Sequence, residues 1–198
     1  MPIPRPEPLD EYFPALSRMV AKTSWLPHPD TVRALARAAF PTSRARKLHP
    51  RLSSISENGE PVGMYDDNAT PEWALFWPHG LIGTRPKGWA VAHVWPSCGD
   101  VDSYTHLANL ALVPESFSGL TDKNGALTTF LRWHAWTVYH WKPISAGVPT
   151  QPGGYHEIQW RYLDRTDNPT ALIRREFERR NNQRTRILRP IMARRGLL

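Results

Sequence analysis

Gly88-Trp89-Ala90-Val91-Ala92-His93-Val94-Trp95-Pro96 reads as a strand: it is apolar and β-rich, and Pro96 ends it. The polar loop 97–104, SCGDVDSY, comes next. Within Leu107-Ala108-Asn109-Leu110-Ala111-Leu112-Val113-Pro114, residues Asn109 to Val113 supply a second short apolar run, and Pro114 to Leu120 has room for one or two helical turns. The order is strand, loop, strand, short helix. A histidine ends the first strand, and an asparagine opens the second sixteen residues later.

Helical patterns flank this unit on both sides. Leu9 to Lys22 reads as a helix with Pro14 early in it. His28-Pro29-Asp30 opens another, in which Val32, Leu35, Ala36, Ala39 and Phe40 recur at helical spacing until Pro41. Residues 41–61 are basic, polar and loop-like, and 70–77, TPEWALFW, read as a short helix capped by Thr70 with Pro71 at its first position. Residues 125–141 form the expected central helix, with Leu127, Phe130, Leu131, His134, Val138 and Trp141 on one face. Residues 143–154 hold three Pro and three Gly and read as a linker, followed by a polar and aromatic run, His156 to Arg161. The pattern is helical again from Pro169 to Leu188, and Pro190 interrupts it.

The expected fold is therefore α+β, a small ββα core surrounded by helices, with a basic C-terminal helix. Four regions follow: 1–61, N-terminal helical with a basic loop; 62–142, the ββα core and the long helix; 143–168, linker and polar/aromatic segment; and 169–198, the Arg-rich C-terminal helix.

Charge narrows the partners. The chain of 198 residues has 25 Lys+Arg and 18 Asp+Glu, a net +7. Residues 169–198 contain nine Arg and only Glu176 and Glu178, so the whole excess lies there, and none of it is Lys. Guanidinium forks bond phosphate in a bidentate way. A second cluster runs from Arg33 to Arg51 without an acid. Basic clusters on a neutral body favour a polyanion, so Arg44, Arg46, Lys47, Arg51, Arg174, Arg175, Arg179, Arg180, Arg184, Arg186 and Arg189 are the candidate nucleic-acid contacts. The plainer alternative is a solvated basic helix. No apolar run approaches the roughly 20 residues that span a bilayer, and the tail has no strong apolar face for a membrane surface. The N-terminus, MPIPRPEPLDEYF, has no basic-then-apolar signal pattern, so a cytoplasmic protein is expected. Cys98 is the single cysteine, which excludes an internal disulfide and an all-Cys metal cage. The P-loop, Rossmann and nucleophile-elbow motifs are absent, and His134 and His140 lie six apart, not at the i, i+4 spacing of a helical zinc pair.

With His93 ending a strand before Trp95-Pro96 and Asn109 before an apolar run, residues 88–122 resemble the HNH nucleases, whose active site is a ββα-metal unit. The resemblance implies that His93 is the general base that activates water, a task imidazole suits because it titrates near neutral pH. It implies that Asn109 pins the loop that aims the ring. It also implies a divalent cation, Mg²⁺ or Mn²⁺, at the phosphate. The chain departs from the family at two ligand positions: Ala92 stands where an Asp or His usually precedes the base, and Ser118 where the helix usually offers His or Asn. Asp122, one turn beyond Ser118, is the carboxylate chosen as metal ligand, with Asp100 and Asp102 in the loop as alternatives.

The function expected is HNH-type hydrolysis of nucleic-acid phosphodiesters, DNA before RNA, in restriction, defence or mobile-element processing. Double-stranded DNA is the expected partner, and a homodimer is left open. Two rivals stand beside it: a catalytically inactive DNA- or RNA-binding protein, and an assembly protein whose Arg-rich tail docks an acidic partner.

Overall fold

The computed structural model describes residues 9–45, 50–83, 85–96, 99–121 and 125–198. A 3-10 turn at Leu9–Tyr12 leads into α1 (Phe13–Thr23), which buries Val20 and Ala21. β1 (Trp25–Leu26) and α2 (Pro29–Ala34) follow. The helix expected to reach Phe40 stops six residues earlier. From there the chain docks on a neighbouring loop, where Thr105 Oγ1 donates to Phe40 O and accepts from Phe40 N at 3.0 Å. Helical backbone is also disfavoured at Phe40 because Pro41 follows it.

Within 41–61, expected to be loop-like, residues 42–44, 53–57 and 60–61 are strand. β2 (Thr42–Arg44), β3 (Ser53–Glu57) and β4 (Glu60–Asp66) form a three-stranded sheet in the order β2-β4-β3. Asn58 (φ 51°) and Gly59 (φ 82°) make the two-residue turn of the β3–β4 hairpin. Left-handed backbone at both positions matches the twist of the strands. Asn58-Gly59 was thus a readable hairpin signal that the polar composition of the segment hid.

α3 (Ala69–Phe76) starts one residue before the expected cap, and Asp66, not Thr70, satisfies its first turn. Asp66 Oδ2 accepts from Thr70 N at 2.6 Å and from Thr70 Oγ1 at 2.7 Å. β5 (Trp89–His93) and β6 (Leu110–Pro114) then pair antiparallel, from Trp89 opposite Pro114 to His93 opposite Leu110. Pro114 closes β6, and α4 (Glu115–Thr121) begins at once, anchored by Glu115 N on Gly88 O at 2.8 Å. The ββα order expected over 88–122 is present as far as Thr121.

β6 divides the hydrophobic interior. Leu110 and Leu112 face a larger core with Phe40, Met64, Leu75, Trp77, Phe177 and Leu188. Ala111 and Val113 face a smaller one with Val20, Leu26, Ala90, Ala92 and Leu131. A strand buried on both faces needs an unbroken apolar run, which Leu110–Val113 is. β6 also pairs with β1, and β1 pairs in parallel with β7 (Arg161–Tyr162), giving the sheet order β5-β6-β1-β7.

The expected central helix is a 3-10 turn, Gly125–Thr128, continued by α5 (Thr129–Val138). The C-terminal segment is two helices, not one. α6 (Pro169–Glu178) is capped by Asn168, whose Oδ1 accepts from Ala171 N at 2.9 Å. α7 (Gln183–Arg194) opens on a capping box in which Asn182 Oδ1 accepts from Thr185 N and Thr185 Oγ1 accepts from Asn182 N, both at 3.0 Å. The break therefore falls at 179–182, and Pro190 sits inside α7. Among the described residues no helix is long and apolar enough to cross a membrane. The fold is α+β.

Candidate functional site

Asn109 is fully buried between the two strands, at the end of a 3-10 turn, Leu107–Asn109. Its side chain joins both ends of the loop that follows β5. Oδ1 accepts from Trp95 N at 2.8 Å, and Nδ2 donates to Ser103 O at 2.9 Å. Its backbone adds a third tie, because Asn109 O accepts from Val94 N at 2.8 Å. A buried amide with both ends bonded is expensive to replace, since each orphaned partner keeps its desolvation cost.

His93 is half-buried at the last position of β5. Its Nε2 lies 3.0 Å from Tyr104 O, and its ring stacks on Tyr104 at 4.9 Å between centroids and 13° between planes. A carbonyl only accepts, so Nε2 carries the proton and Nδ1 is the basic nitrogen of the neutral ring. Tyr104 is itself immobilised: it is fully buried, and its hydroxyl donates to Asn68 Oδ1 at 2.9 Å. Asp100 shapes the loop from within, as its Oδ1 accepts from Asp102 N at 2.9 Å and its Oδ2 from Ser103 Oγ. Gly63 of β4 lets this loop pack closely, because a Cβ there would come within 2.7 Å of Val101 Cγ1.

His93 and Asn109 are thus brought together as expected, one holding a loop carbonyl and the other holding the loop. Tyr104 went unnoticed in the sequence because an aromatic in a polar loop carries no periodic signal. His106 and Arg132 were missed as well. His106 stacks on Trp141 at 4.3 Å, and burial pushes its pKa down to about 4.

The described residues do not supply a ligand set for the implied cation. Among the described residues no three His, Cys, Asp or Glu side chains come together in a way that could hold a metal ion. Ala92 is buried in the smaller core, and Ser118 donates its hydroxyl to Glu115 O at 3.0 Å within α4. Asp100 is committed to its loop, and Asp102 accepts from Arg195 NH1 at 2.5 Å. Asp122 lies outside the described residues.

The basic candidates divide. Arg44 ends β2 and is exposed, as is Arg51, while Arg46 and Lys47 lie outside the described residues. In the C-terminal helices Arg175, Arg179 and Arg180 all bond Glu176, which is buried. Arg180 also covers the face of Trp77 at 4.3 Å, and Trp77 stacks on Trp73. Arg184 donates from Nε to the buried Asp66 at 2.7 Å and from NH2 to Asp67. Burial alone would raise the Asp66 carboxyl, but the bonds from Thr70 and Arg184 hold it below the ordinary carboxylate range. Arg194 bonds Glu60. Arg174, Arg186 and Arg189 have no carboxylate partner among the described residues and are exposed, with Arg189 lying 5.4 Å from the Phe177 ring centre. Most of the tail's guanidiniums therefore neutralise the protein's own acids.

No family model, curated protein or solved structure matches the chain.

Proposed function

We propose that this protein hydrolyses nucleic-acid phosphodiester bonds, DNA foremost, with His93 as general base and Asn109 as the residue that positions it. The observation that carries this reading is the double clamp: Asn109 ties Trp95 to Ser103, and the loop so closed presents Tyr104 O to His93 Nε2. A carbonyl on Nε2 fixes the tautomer and leaves the lone pair at Nδ1. It also stabilises the imidazolium formed when that nitrogen takes a proton from water attacking phosphorus. Exposed Arg44, Arg51, Arg174, Arg186 and Arg189 are the phosphate contacts of this reading. The implied Mg²⁺ or Mn²⁺ has no ligand set among the described residues, and no step is assigned to it.

The test is cleavage of supercoiled plasmid, linear duplex and single-stranded RNA by the wild type and by His93→Ala, with Mg²⁺, with Mn²⁺ and with EDTA. Cleavage by the wild type that His93→Ala loses is the expected result. A wild type inert on every substrate under all three conditions overturns the proposal.

A second reading, a nucleic-acid-binding protein on an inactive ββα core, is favoured by Ala92 and by the committed hydroxyl of Ser118. It predicts duplex binding without cleavage in the same assay.

A further inference from the structure

We propose that Arg132 is a second substrate-contacting residue of the same site, its guanidinium binding a phosphate oxygen of the nucleic acid beside the scissile bond. The inference rests on the nuclease reading above.

Arg132 comes from α5, and its Nε donates to Val94 O at 3.0 Å. Val94 immediately follows His93, and its N–H is one of the groups held by Asn109. The base and this guanidinium therefore hang on adjacent residues of one clamped segment. The guanidinium lies against Gly125, where an added Cβ would stand 2.6 Å from NH2 and 3.2 Å from NH1. Glycine at 125 thus leaves the space that the fork occupies. The same side chain lines a cleft of about 630 Å³ with Trp95, Pro96, Thr129 and the 145–150 loop, so the cleft wall starts two residues beyond His93.

Among the described residues no acid compensates this charge. Among the described residues Arg132 has no carboxylate partner, and burial pushes its pKa down with nothing opposing it. The contrast with Arg175, Arg179, Arg180, Arg184, Arg194 and Arg195 is direct, since each of those bonds an acid. A half-buried cation whose one hydrogen bond among the described residues goes to a carbonyl is costly unless an anion completes it. Nε is occupied by Val94, which leaves the two terminal nitrogens for a phosphate, the ligand whose oxygens match the fork. Such a donor supplies charge stabilisation as phosphorus gains its fifth oxygen.

The experiment compares wild type, Arg132→Gln, Arg132→Lys and Gly125→Ala in duplex cleavage, in equilibrium binding of a short fluorescein-labelled DNA duplex across salt, and in thermal melting. Arg132→Gln should lower kcat by about 10²-fold, the size of loss from removing one preorganised donor to a developing oxyanion. Arg132→Lys keeps the charge and should recover part of that loss. Gly125→Ala keeps the arginine but displaces its fork, so kcat should fall with the melting temperature near wild type. Wild-type kcat and KM in Arg132→Gln overturn the proposal. Should Arg132→Gln fail to fold, wild-type kcat in Gly125→Ala overturns it equally. If the wild type cleaves neither DNA nor RNA, the nuclease reading fails separately and duplex binding judges Arg132. A salt slope shallower by about 0.9 in the Gln variant supports a phosphate contact, and an unchanged slope refutes it.

Discussion

Asn109 shows how much a single side chain can determine in this fold. One amide joins Trp95 N to Ser103 O, eight positions apart in the chain. Asn109→Ala orphans both, at about 1–3 kcal/mol for each buried group, and lets the Tyr104 carbonyl drift from His93. The expected outcome is a lower melting temperature together with a lower cleavage rate per folded molecule and nearly unchanged duplex affinity. A variant with wild-type turnover contradicts the positioning role. Arg184 is the parallel case in the larger core. Arg184→Gln leaves Asp66 buried without its charged partner, and breaking a buried pair from one side costs about 3–5 kcal/mol. Urea unfolding should show a loss of that order for Arg184→Gln and little change for the exposed Arg186→Gln. Equal effects contradict the ion-pair account. Asn109 was legible from sequence because it opens an apolar run after a strand that ends in histidine. Asp66 was not, because nothing local marks a carboxylate that caps α3 and meets a guanidinium 118 residues away.

At the level of elements, legibility followed local chemistry. β5, β6 and α4 stand within a residue or two of the runs 88–95, 109–113 and 114–120 that the sequence marks, since apolar runs and proline act within a few residues. The three-stranded sheet went unread because Ser53–Glu57 is short, polar and mostly exposed, and only Asn58-Gly59 announces it. The division of the tail into α6 and α7 was written in Asn182 and Thr185, a capping pair that a count of arginines passes over. The division matters for binding. α7 faces β4, and its Arg184 and Arg194 are spent on Asp66, Asp67 and Glu60, so the tail is not a free basic arm. Replacing Arg174, Arg186 and Arg189 together with Gln should flatten the log–log salt dependence of duplex binding by about 2.7, at about 0.9 for each phosphate no longer neutralised. Helix propensity is kept, so the fold should survive. An unchanged slope removes α6 and α7 from the interface.

The whole molecule carries its titratable weakness inside. His79, His106 and His134 are buried, and burial lowers their pKa values to about 4, about 4 and about 3. His134 is bonded at 3.0 Å to the hydroxyls of both Tyr155 and Tyr162. The unfolded chain protonates these rings near pH 6.5, while the folded chain refuses the protons until about pH 4. Their folded pKa values are depressed, so the unfolded state binds more protons throughout that window. Stability is complete above about pH 6.5 and falls as the pH drops towards 4, by about 1.4 kcal/mol per pH unit for each ring at full effect. Urea midpoints measured across the window should decline steadily, well before the carboxylates titrate. A flat profile down to about pH 4.5 contradicts the burial account. Charge follows the same logic of internal use. The net +7 lies in the tail by sequence, yet part of it is answered by acids outside the tail, Glu60 and Asp66 of β4 and Asp102 of the loop after β5.

The measurement that bears most directly on the nuclease assignment is the single-turnover cleavage rate of His93→Ala against wild type, with folded fraction and duplex affinity measured on the same samples. Removing a general base costs about 10²–10⁴-fold in rate, so a loss of that size is expected with the fold and the affinity retained. A variant that cleaves within a few-fold of wild type, or whose loss is matched by unfolding, contradicts the assignment of His93 as the base.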